Sequence, residues 1–172
     1  MKDIVVYLPL FPYLRQWLTS NLGSPVRFPA RSYESTLLTR LCTRRPAGVE
    51  EPVSPPSGCV AIVLPDNSHH RPEYYNYLSR SDRSKMAHAV EELFRLHLWN
   101  ECAPLCSCSG RLNAGLNDWC RANGIGVIYR EAVRQKFYRL RALYDGTGIV
   151  LGQKYRKKTT TSPPENEQLN EQ

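Results

Sequence analysis

The sequence predicts an α+β fold: a small three-stranded sheet with helices, followed by a mostly helical, basic part. Three observations carry this expectation. Short β-rich runs ending near proline recur in the first half. An apolar spacing of three and four residues takes over after residue 81. Positive charge then gathers late in the chain: residues 109–158 hold eleven Lys/Arg against three Asp/Glu, whereas residues 1–108 hold twelve against ten. With 172 residues, 41% of them hydrophobic, the chain is long enough to bury a substantial core. Its net charge of +7 favours anionic partners.

The β-rich runs begin at Ile4 ("IVVYLPL"), Val26 ("VRFPA") and Ala61 ("AIVLP"). Proline is tolerated at a strand end because it need not donate to the ladder there. Strands are therefore expected at about 3–8, 25–29 and 59–64. Helices should follow at about 12–22, stopped by Gly23, and 33–44, capped by Ser32. Residues 45–58, "RPAGVEEPVSPPSG", hold four prolines and two glycines and read as an extended surface linker. After the third strand, "PDNSHHRPEYYNY" is expected to place His69 and His70 in a surface turn, followed by a helix whose tyrosines pack on the sheet.

Residues 1–80 thus form a small α/β part and residues 81–152 a helical part. Ser79 or Ser81 can cap a helix over 82–102, where Met86, Val90, Leu93, Phe94, His97 and Leu98 share one face. A helix over 112–122 puts Leu112, Leu116 and Trp119 on one side. Asn123-Gly124 stops it, and Ile125 folds back onto the core. The stretch "REAVRQKFYRLRALY", Arg130 to Tyr144, then has five cations and one carboxylate. Val133, Phe137, Leu140 and Tyr144 form a narrow apolar seam along it. Arg130, Arg134 and Arg141 lie on one flank, Gln135, Tyr138 and Arg139 on the outer face, and Lys136 on the other side. An ordinary solvated helix interleaves charges of both signs, and here Glu131 is the single acidic partner.

Leu116, Trp119 and Cys120, the turn at Gly124-Ile125, and Val133 and Phe137 beyond it resemble the packed positions of helix-turn-helix DNA-binding proteins. With helix 82–102 they resemble the trihelical units of phage and mobile-element regulators over residues 82–145. "GIGVIY" makes the turn longer than the usual three or four residues, as in the looser variants of that class. The resemblance implies a helical part of helix-turn-helix type and a double-stranded DNA partner. Arg and Gln can read base edges, and Lys, Arg and Tyr can hold phosphates. The expected DNA-binding residues are Arg121, Arg130, Arg134, Gln135, Lys136, Tyr138, Arg139 and Arg141. A basic arm at 153–158 adds Lys154, Arg156, Lys157 and Lys158. Residues 159–172 read as a disordered acidic tail. Residues 1–80 are the expected route to a homodimer.

Other chemistries are weighed against this reading. Cys102, Cys106, Cys108 and Cys120 match zinc in number but not in spacing, so no metal and no cofactor is expected. Asp66, His69, His70 and Glu73 could bind a metal beside Tyr74, Tyr75 or Tyr77, as in a strand-nicking enzyme. The histidines are adjacent, however, rather than flanking one apolar residue on a strand, so no catalytic activity is expected. A protein–protein adaptor, its basic helix on an acidic partner, is the alternative to DNA binding. No apolar run reaches membrane-spanning length and no cleavable leader is apparent, so the expected location is the cytoplasm.

Overall fold

The computed structural model describes residues 3–50, 55–107 and 110–147. Strand β1 (Val5–Pro9) is followed by helices α1 (Pro12–Leu22) and α2 (Tyr33–Leu41). Strands β2 (Thr43–Arg44), β3 (Cys59–Val63) and β4 (Tyr75–Tyr77) come next. Helices α3 (Arg80–Cys102), α4 (Leu112–Ala122) and α5 (Arg130–Thr147) complete the described chain, with single 3₁₀ turns at Ala103–Ser107 and Val127–Tyr129. The fold is α+β with a helical C-terminal part.

The expected three-stranded sheet is reduced to a two-stranded one. β1 pairs antiparallel with β3, from Val5 opposite Val63 to Pro9 opposite Cys59. The run at 25–29 contributes one parallel bridge, in which Val26 N–H donates to the Ala61 carbonyl and Val63 N–H to the Val26 carbonyl, each at 2.9 Å. Pro25 and Pro29 flank that bridge and have no N–H with which to extend it. Leu8, Val26 and Ile62 are fully buried there.

A second correction concerns α2 and the tyrosines. α2 stops at Leu41, short of residue 44, and Cys42 is extended at ψ 129°. The chain then forms the ribbon β2–β4, with Thr43 opposite Tyr77 and Arg44 opposite Tyr75. The helix expected around the tyrosines is therefore strand β4. Pro72 precedes it, and aromatic residues favour a pleated, half-buried surface once an edge is available. The linker residues that are described, 45–50 and 55–58, form no helix or strand and are mostly exposed.

Three helix ends lie where the sequence places their caps. Ser32 Oγ accepts from Ser35 N–H at 3.1 Å, and Ser79 Oγ accepts from Asp82 N–H at 3.1 Å. Gly23, at φ +82°, ends α1 with its N–H on the Thr19 carbonyl. The two halves of the chain share one core, with α3 packed against β1, α1, α2, α4 and α5. At its centre Phe94 of α3 meets Trp17 edge-on at 5.2 Å and Trp119 at 5.8 Å. Trp17 Nε1–H donates to His97 Nδ1 at 3.0 Å, so the indole's polar atom is satisfied inside the cluster. No helix among the described residues is long and apolar enough to cross a membrane.

Candidate nucleic-acid interface

Helices α3 and α4 hold α5 by its expected seam. Val133 and Phe137 are fully buried, and Leu140 is 3% exposed. Phe137 stacks on Trp99 at 5.8 Å, and Tyr144 lies 4.7 Å from the same indole. Trp99 was not among the expected core positions. It lies five residues after Phe94, off the apolar face read from α3, and α5 is what covers it.

The turn between α4 and α5 is fixed from outside by α1. Asn21 Nδ2–H donates to Asn123 Oδ1 at 3.0 Å, and Gly126 N–H donates to Gln16 Oε1 at 2.9 Å. Gly124 has φ +69°, and a Cβ there would stand 2.8 Å from Ser20 Oγ. Glycine is thus required both for its backbone and for the close approach of α1. Ile125, 3% exposed, folds back onto the core as its sequence position suggested. The long turn also presents Val127 and Ile128 to solvent, 68% and 80% exposed.

The candidate side chains divide into groups. Gln135, Tyr138 and Arg139 lie on the exposed side of α5. Arg139 has no ion-pair partner among the described residues. Arg130, Arg134 and Arg141 are half-buried on the flank. Arg134 reaches Glu131 at 2.8 Å and Asn117 of α4 at 3.5 Å, and Gln135 donates to Glu131 at 2.9 Å. Tyr138 donates its hydroxyl proton to Asn113 Oδ1 of α4 at 2.9 Å. Arg121 is exposed at the end of α4 and lies 3.4 Å from Asp118.

Lys136 has a different setting. Its ammonium pairs with Glu91 of α3 and lies 5.7 Å from the centre of the Tyr13 ring. Burial lowers its pKa, but hydrogen bonds to Glu91 and Tyr13 outweigh that and raise it above the usual lysine value. This contact joins α5 to α3 and α1, away from the flank formed with α4. Asn113 and Asn117, absent from the expected site, are spaced i, i+4 on α4 and hold the polar side of α5. That spacing was legible, but only packing gave the amides partners.

The arm residues Lys154, Arg156, Lys157 and Lys158, the tail 159–172 and Cys108 lie outside the described residues. Cys102 and Cys120 are buried, and Cys106 is half-buried. Burial, reinforced by the nearby Cys120, Glu101 and Cys106, pushes the Cys102 thiol up to about 12. Burial also raises the Cys120 thiol, against the lowering field of Arg130 and Arg134. Among the described residues no group of three or more His, Cys, Asp or Glu is arranged to hold a metal ion. His69 is exposed, while His70 stacks on Tyr75 at 3.9 Å with Nε2 2.8 Å from the Cys42 carbonyl oxygen. The expectation of two surface histidines therefore holds for His69 and not for His70. Comparison of the chain with family models, curated proteins and solved structures finds no match.

Proposed function

We propose that this is a non-catalytic, double-stranded-DNA-binding protein of helix-turn-helix type, a regulator or accessory factor of a phage or mobile element acting in the cytoplasm. The reading rests chiefly on α5, a helix with its apolar seam buried and an outer face of Gln135, Tyr138 and Arg139, flanked by Arg130, Arg134 and Arg141. Amide, guanidinium and phenol groups are the side chains that recognise base edges and phosphates. The arm 153–158 adds phosphate contacts, and residues 1–80 serve dimerisation. Selection from a random duplex pool at physiological salt tests this, with sequencing of the retained fraction. Enrichment of a common site, lost on Arg139→Ala and Gln135→Ala substitution, is the expected result. Failure to retain any duplex with an intact fold removes the proposal.

A further inference from the structure

The ribbon β2–β4 lies within residues 1–80, to which the function proposed above gives dimerisation and no contact with nucleic acid, and its surface is chemically distinctive. Residues 39–50 and 67–80 together hold Arg40, Arg44, Arg45, Arg71 and Arg80 against only Glu50 and Glu73. Neither segment contains an aspartate or a lysine, and the second also carries His69 and His70. The pairing of Thr43–Arg44 with Tyr75–Tyr77 brings these two basic segments side by side.

The surface is held in place by specific contacts. Arg44 lies 5.4 Å from the centre of the Tyr75 ring, and His70 stacks on that ring at 3.9 Å. His70 is anchored in turn by the Cys42 carbonyl at 2.8 Å. Arg45 ties the ribbon inward, donating to the Glu50 carbonyl at 3.1 Å and to Asn76 Oδ1 at 3.3 Å. Tyr74 and Tyr75 N–H both close onto the Arg71 carbonyl at 3.1 Å, which fixes the turn carrying Arg71. Arg44 and Arg71 remain exposed, and Tyr74, three residues after Arg71, is 60% exposed.

We infer that this ribbon is a second binding surface, for single-stranded nucleic acid, with Tyr74 stacking on an unpaired base and Arg44 and Arg71 holding the adjoining phosphates. An exposed aromatic ring on a basic surface is the combination that binds a single strand without reading its sequence. A duplex suits it poorly, because its bases are already stacked. The inference does not depend on α5 and stands on different residues.

The test is fluorescence anisotropy of the full chain with labelled oligothymidine and oligouridine, beside a labelled duplex, across a salt series. Wild type should bind at least one oligonucleotide, and the two arms distinguish DNA from RNA as the strand recognised. Tyr74→Ala should weaken that binding about 5- to 150-fold, the range for one stacked base. Tyr74→Phe should retain it. Arg44→Ala with Arg71→Ala should flatten the log–log salt slope by about 1.4, at about 0.7 per contact. All three variants should leave duplex binding unchanged, while Arg139→Ala should affect the duplex alone. Circular dichroism and the unfolding midpoint establish that each variant is folded. The inference is overturned if wild type retains neither oligonucleotide at low salt, if Tyr74→Ala or the double arginine variant binds like wild type, or if Tyr74→Phe falls as far as Tyr74→Ala.

Discussion

Phe137 and Tyr138 are neighbours on α5, and the structure predicts opposite consequences for losing them. Phe137 is fully buried and stacks on Trp99 at 5.8 Å. Replacing it with alanine removes the ring from water-excluded packing and leaves a cavity, at a cost of about 3–5 kcal/mol. Total stability for a domain of this kind is about 5–15 kcal/mol, so that loss is a large fraction of it. With a urea slope of about 2 kcal/mol per molar, the unfolding midpoint should fall by about 1.5–2.5 M. Tyr138 is 37% exposed and contributes one hydrogen bond, to Asn113 at 2.9 Å. Its replacement by alanine should cost about 1 kcal/mol or less and move the midpoint by about 0.5 M. Duplex affinity should respond in the other sense: Tyr138→Ala weakens binding while the protein stays folded. Urea titrations followed by far-ultraviolet circular dichroism, with unchanged slopes, measure both shifts. Equal midpoint shifts for the two variants, or a Phe137→Ala shift below about 0.5 M, would refute the assignment of inner and outer faces.

Glu131 pairs with Arg134 at 2.8 Å and accepts from Gln135 at 2.9 Å, which occupies two groups proposed to meet DNA. Glu131→Gln should therefore raise duplex affinity in a filter-binding assay, and cost under about 1 kcal/mol of stability for an exposed pair; unchanged or weaker binding would count against α5 as the contact. Ser79→Ala should destabilise by about 1 kcal/mol through loss of the α3 cap, read by thermal melting, and no change would show the cap to be inert. The Asp82 carboxyl is held below its usual value by hydrogen bonds from Lys85 and Ser79, against a smaller opposing effect of burial. Its folded pKa is depressed, so its contribution is present above the ordinary carboxylate range and lost as pH falls through the folded value. Asp82→Asn should accordingly narrow the difference in melting temperature between neutral pH and acid; an unchanged difference would exclude this contribution. Burial, with a smaller contribution from Asp82, pushes the Cys42 thiol up to about 12, and Cys102 reaches a similar value. Both should resist iodoacetamide at pH 8 in the native protein and react once it is unfolded, and mass spectrometry of native-state adducts at either position would contradict that burial.

The helices were largely legible in the residues. The spacing of Val133, Phe137, Leu140 and Tyr144 identifies the buried side of α5, because helical geometry brings every third and fourth residue to one face. Ser32, Ser79 and Gly23 mark helix ends because their chemistry is local: a hydroxyl reaches the next few N–H groups, and glycine accepts a positive φ. Strand pairing is not local, and there tertiary structure decided. Whether 25–29 was a strand depended on how far prolines let it pair with Ile62, and whether Tyr75–Tyr77 was a helix depended on Thr43–Arg44 offering an edge. The same separation runs through the candidate interface. Sequence alone determined that α5 is basic and which of its residues face outward. Packing alone committed Lys136 to Glu91, set Asn113 and Asn117 against Tyr138 and Arg134, and braced the turn with Gln16 and Asn21. Those partners lie 17 to 110 residues away along the chain, beyond the few residues over which helical periodicity carries information.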